Sequence, residues 1–236
     1  MDNLEYHSIL CVAYISKYFL KQRIVVLELP LLGEIPFLAP IIFEFKRLND
    51  DVRLMIATQE EPDVYIAQLR GMPEYAGLFD GIPMIPKKLL LSYPELIDVF
   101  ASTEQYSYGL PGACSVCYFH GQPSKGVTFN SAILNAFDYF FLMGDLQLKT
   151  LVTFLMKNKS EIDYIPKTVK VGYPKMDAIV NGSYNRIDTL GNLGMDSSLK
   201  TVLYAPAFNE GASLRSIGVE LIQCLASMQD TNVIIK

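Results

Sequence analysis

A short β-branched run, a turn and an amphipathic stretch of helical length recur along this chain, and that unit confines the fold to βαβ crossovers on a parallel sheet. Strands are read at 23–29, 52–58, 82–85, 97–102, 114–119, 137–143 and 168–171. Helices are read at 37–48, from Pro62 to about Arg70, over 127–136 and from Asp145 to about Lys157. Pro30 closes the first strand. Pro62 suits the first turn of a helix, where its missing N–H costs little.

The 236 residues allow one large domain or one and a half smaller ones. Half the residues are hydrophobic and 19% are charged, so the chain can bury a sizeable core. Between 182 and 198 the composition shifts to Gly, Asn and Ser with little apolar periodicity, which marks a linker. The domain reading is therefore 1–181 (with an N-terminal helix inside 1–22), the linker 182–198, and a second α/β domain from 199 to 236. That last part reads as a strand at 201–204, a helix at 213–228 and a strand at 232–235. One strand, helix and strand cannot bury both faces of a parallel sheet. The expectation is that 199–236 opens a domain whose remainder lies outside this chain.

Charge and cysteine usage exclude several classes. The 20 Lys and Arg against 25 Asp and Glu give a net charge of −5, and the basic residues form no dense run, so nucleic acid is not the expected partner. Cys11, Cys114, Cys117 and Cys224 are too few for a disulfide framework and fit a reducing cytoplasm. The apolar stretch 8–20 is too short to span a bilayer and contains Lys17. Asp2 and Glu5 precede it where a signal peptide would be positive, so it reads as a helix packed on the core.

Of two histidines, His7 sits in the N-terminal helix region and His120 follows the strand at 114–119. Loops at the carboxyl ends of strands form the ligand crevice in open α/β sheets, so His120 stands where a working side chain is placed. Gly121 permits close backbone approach, Ser124 and Lys125 offer a hydroxyl and a cation, and Gly126 precedes a stretch that can present helical N–H groups to an anion. The result is a base beside an anion cradle. Cys114 and Cys117, three apart on a strand, point to opposite faces and lack a second ligand pair, so no metal site is expected. No D-x-D, G-x-G-x-x-G, Walker A or G-x-S-x-G pattern occurs, which argues against dinucleotide, P-loop and α/β-hydrolase chemistry; no cofactor is expected.

Three segments, taken in order, resemble the CDP-glycerol glycerophosphotransferase family of teichoic-acid and capsule polymer synthesis. They are the H-G-x-P-x-K-like loop (His120, Gly121, Pro123, Lys125), a G-Y-P-x-x-D segment (Gly172, Tyr173, Pro174, Asp177) and an L-Y-A-P segment that includes Ala205 and Pro206. The resemblance covers about 97–236. After Pro206 the chain reads Ala207-Phe208-Asn209 where the family usually has Thr-Trp-Arg.

The resemblance implies an α/β, GT-B-like fold: a Rossmann-like acceptor-side domain and the start of a nucleotide-donor domain. It implies a transferase that passes glycerol phosphate, or a related polyol phosphate, from a CDP-activated donor to a lipid-linked or polymer acceptor. His120 would be the general base; Gly121, Ser124, Lys125 and Gly126 would hold donor phosphate. Gly172, Tyr173, Pro174, Asp177, Ala205 and Pro206 would lie at the domain junction. It further implies a cytoplasmic protein in peripheral contact with the inner face of the membrane. The alternatives are another GT-B enzyme, either a glycosyltransferase or a UDP-GlcNAc 2-epimerase-like protein, and a non-catalytic scaffold.

Overall fold

The structure is a computed structural model that describes residues 3–48, 51–75, 77–103, 110–119, 129–159, 164–207 and 210–236. The chain divides into two compact units, Met1–Met176 and Asp177–Lys236.

The first unit is built on one parallel sheet. Helix α1 (Asn3–Tyr18) leads to β1 (Arg23–Leu29), α2 (Ile35–Leu48), β2 (Val52–Thr58), α3 (Pro62–Leu69), β3 (Met84–Pro86), α4 (Lys87–Leu90) and β4 (Val99–Ser102). Then follow β5 (Cys114–Cys117), α5 (Ser131–Ala136), β6 (Tyr139–Leu142), α6 (Asp145–Lys157) and β7 (Lys167–Lys170). The seven strands lie in the order β3-β2-β1-β4-β5-β6-β7. Strand β1 is central: Val25 pairs with Leu54 on one side and Val99 on the other, both parallel. Its RIVVLEL sequence is buried from the second residue onward, as a strand covered on both faces requires.

Alternation along the strands sorts the core into faces. Val25, Leu27, Leu54, Ile56 and Val116 pack with Leu38 and Ile42 of α2 and Tyr65 of α3. Their neighbours Ile24, Val26, Met55 and Phe100 meet Tyr6, Leu10 and Ala13 of α1 and Leu90 of α4. Under α5 and α6 a third cluster holds Cys117, Phe140, Leu142, Ile133 and Leu151.

Helix α1 differs in part from the core-packed helix expected. Tyr6, Leu10 and Ala13 give it a buried stripe at helical spacing, but Val12, Tyr14, Ile15 and Tyr18 are exposed, followed by Phe19 (71% exposed) and Leu20 (64%). No described helix is long and apolar enough to cross a membrane.

The second unit carries α7 (Asp177–Val180), α8 (Arg186–Asn192), β8 (Lys200–Tyr204), α9 (Ser213–Ser216), α10 (Val219–Ala226) and β9 (Thr231–Ile235). Strands β8 and β9 pair in parallel as a two-stranded sheet. Within the Gly- and Asn-rich stretch 182–198, Asn185 caps α8 by accepting from the Ile187 and Asp188 N–H groups, so this stretch contains a helix. The single helix expected over 213–228 is two, because the chain passes through Gly218 at φ +60°, a left-handed value that ends one helix before the next begins.

Candidate functional site at the carboxyl edge of the sheet

His120, Gly121, Pro123, Ser124, Lys125 and Gly126 lie outside the described residues; the structure describes what holds the two ends of their segment. Strand β5 stops at Cys117. The Tyr118 N–H still donates to the Ser102 carbonyl at 3.0 Å, and Phe119 then turns to φ +44°. The strand is thus two residues shorter than its apolar run. On the far side, Asn130 caps α5 by accepting from the Ile133 N–H at 2.9 Å, so the helix starts four residues later than the expected 127. Phe119 and Phe129 meet edge to face at 5.5 Å, which joins the two ends of the segment 120–128.

The G-Y-P segment enters the same cluster. Strand β7 ends at Lys170, and Gly172 at φ +82° turns the chain into a 3-10 turn at Pro174–Met176. Tyr173 packs on Phe37 of α2 at 5.5 Å, and the Lys175 ammonium sits 4.6 Å over the same ring. Burial pushes the Tyr173 phenol up. Tyr173 and Phe119 thereby share one apolar cluster. Gly172, Tyr173 and Pro174 belong to the first unit, whereas Asp177 opens the second. Ala205 and Pro206 follow the carboxyl end of β8, where the hydroxyls of Tyr204 and Ser213 share a 2.7 Å hydrogen bond.

Cys114 packs against the first cluster and Cys117 is fully buried in the third, so the two thiols face opposite sides of the sheet. Burial, and then the Asp138 carboxylate, push the Cys114 thiol up, away from a reactive thiolate. Among the described residues no group of three His, Cys, Asp or Glu gathers as a metal site would require.

Sequence reasoning missed the polar groups at the point where strand order reverses, between β1 and β4, where open α/β sheets form their crevice. Glu28 of β1 is fully buried; its carboxylate pairs with Lys87 at 3.0 Å and accepts from the Gln59 amide at 2.9 Å. Glu34, in the loop after β1, is buried and accepts from the Thr103 hydroxyl just beyond β4. The Tyr118 hydroxyl is buried with no partner among the described residues, and its phenol is raised by burial first and then by Glu34 and Glu28. The available signal was Glu28 itself, a carboxylate in register with Ile24 and Val26 on a face that is otherwise apolar.

No protein-family model matches the sequence, and no curated protein does. Solved structures do match. One is the wall teichoic acid polymerase TagF, solved as a point variant: the TM-score is 0.58 at 11% identity, over 98% of this chain and 63% of that one. At that identity the likeness is one of fold: the chain has the α/β, GT-B-like architecture of part of that polymerase, a seven-stranded parallel sheet with a second, smaller one.

Proposed function

We propose that this chain forms part of a transferase that moves a glycerol-phosphate or related polyol-phosphate unit from a CDP-activated donor to a hydroxyl acceptor in cell-envelope polymer synthesis. One observation carries the reading: the segment 120–126 follows β5, the strand next to β4 of the switch point, in a chain of which 98% matches the fold of a teichoic-acid polymerase. The three ordered segments around His120, Tyr173 and Pro206 support it.

In this reading the His120 imidazole takes the proton of the acceptor hydroxyl, whose oxygen attacks the β-phosphorus of the donor. The new P–O bond forms as the bond to the bridging oxygen breaks, and CMP leaves with that electron pair. An imidazole near its ordinary pKa of about 6.5 is a competent base at neutral pH. Lys125 and the amides of Gly121, Ser124 and Gly126 supply positive charge to the phosphate. The acceptor is lipid-linked or polymeric, and the protein works at the inner face of the membrane. The exposed Phe19 and Leu20, beside Lys21 and Arg23 with no acidic residue from 6 to 27, suit that contact.

The test is transfer by the full-length protein from CDP-glycerol, CDP-ribitol and UDP-sugars, with and without His120→Ala. A CDP-polyol is the expected donor, and His120→Ala lowers turnover by at least about a hundredfold, the ordinary size of a general-base contribution. Turnover with UDP-sugars alone would assign the chain to another GT-B chemistry.

A further inference from the structure

Strand β3 does not cover all of β2. The ladder between them runs from Ile56 with Met84 to Thr58 with Pro86, and the residue before it is Pro83, which has no N–H to extend the pairing. Beside the first residues of β2 the sheet edge opens into a cavity of about 690 Å³, within the range of about 300–1,000 Å³ that small-molecule sites occupy. The cavity lies at the amino end of the sheet, and its lining belongs to the first unit.

Its walls are mostly apolar. Ile66 and Leu69 of α3, Phe79 and Ile82 of the turns that follow, and Ile9 of α1 are partly buried against the core and line the cavity. Two arginines line it as well, Arg53 on β2 and Arg70 at the C-cap of α3. Arg53 shares a face of β2 with Met55 and Ala57, which are buried in the cluster that includes α1, and it is itself only half-exposed. Among the described residues neither guanidinium makes a hydrogen bond or an ion pair. A cation drawn part-way out of water without an acid beside it lacks the compensation that such charges ordinarily have. Glu5 and Asp80 also line the cavity, yet neither pairs with an arginine. Asp80 is held in the turn with Gly77, whose carbonyl accepts from the Asp80 N–H at 3.2 Å.

We propose that this cavity binds an amphiphile with an apolar chain and one oxyanion head, a phosphate monoester or a carboxylate. The chain lies along Ile66, Leu69 and Ile82; the head meets Arg53, and Arg70 adds to the positive potential. A guanidinium presents its N–H groups as a fork that matches two oxygens of either head, and a half-buried one gains more from the contact than a solvated one. The site is at the opposite end of the sheet from the strand exits and does not depend on the transfer reaction.

The experiment is calorimetric titration of the 236-residue chain with decyl phosphate below its micellar concentration, and in parallel with decanol, inorganic phosphate and decyltrimethylammonium. Decyl phosphate should bind one to one and at least about tenfold tighter than decanol, the ordinary size of a charge-assisted hydrogen bond, while the other two do not saturate. Arg53→Gln should remove that advantage and leave decanol unchanged. Leu69→Trp, which fills the cavity, should weaken both ligands at least about tenfold, and Arg215→Gln, at an exposed position of the second unit, should change neither. Equal affinity for decyl phosphate and decanol, tighter binding of decyltrimethylammonium, an equal loss in Arg215→Gln, or binding of none of the four would overturn the proposal. Should Leu69→Trp not fold, Arg53→Gln and Arg70→Gln decide by the difference between decyl phosphate and decanol.

Discussion

Two buried tyrosines, Tyr65 and Tyr118, fill the same apolar cluster and differ at their hydroxyls. The Tyr65 hydroxyl donates to the Pro30 carbonyl at 2.7 Å, whereas that of Tyr118 has no partner among the described residues. Removing a satisfied hydroxyl costs about 1 kcal/mol, and removing an unsatisfied one relieves a desolvation penalty. In denaturant unfolding, Tyr65→Phe should therefore lower stability by about that amount. Tyr118→Phe should match or exceed the parent protein. The same groups set an alkaline limit. Burial raises the phenols of Tyr118, Tyr65 and Tyr6, with Glu34 and Glu28 adding to the first and a hydrogen bond to Glu61 adding to the last. Unfolded phenols ionise near pH 10, so the contribution of these groups is complete below about pH 10 and is lost as the pH rises beyond it. Denaturation midpoints should fall as the pH rises above about 10, and less steeply in Tyr118→Phe.

Helix α5 shows at the element scale how a local signal and a tertiary one compete. Its apolar residues Ile133 and Leu134 are buried, yet it is only six residues long, so its start depends on Asn130 accepting from the Ile133 N–H. Asn130→Ala should cost about 1 kcal/mol of stability, the usual value of an N-cap. If it costs less than about 0.3 kcal/mol, the Phe129 ring and not the cap fixes the start of α5. Strands β1 and β2 match their apolar runs residue for residue, because both lie inside the sheet and are buried along most of their length, β1 from Ile24 and β2 from Leu54. At β5 the apolar run overstates the strand, since Phe119 is buried for its ring and not for a place in the ladder. In α9 and α10 the apolar spacing hides the break at Gly218, whose turn the periodicity does not register. The buried Glu28–Lys87 pair was legible only in part. Lys87 reaches β1 from a distant segment, and sequence spacing carries no trace of that contact. Lys87→Met should destabilise by about 3 kcal/mol, since removing one partner strands charge in a dry site.

Across the whole molecule, the order of the segments around His120, Gly172 and Ala205 was readable because each sits at the exit of a strand, and strand exits are punctuated by Gly and Pro. The charges at the switch point were not, since strand order is a property of the assembled sheet. The two units also differ in how much they bury. The first has three clusters of buried side chains on a seven-stranded sheet. In the second, the described buried residues are Leu190, Ala212 and Asn232; α10 buries none, and Leu203, Ile217 and Val219 are exposed. Local opening follows local burial, because an element with few buried apolar contacts unfolds without disturbing the rest. Native-state hydrogen exchange of the 236-residue chain should therefore show amides of β1 and β2 exchanging only with global unfolding. Those of β8 and β9 should exchange at least about a hundredfold faster, a gap of about 2.7 kcal/mol in opening free energy. Equal protection in β2 and β8 would mean that the 177–236 unit draws its stability from more than its own two strands.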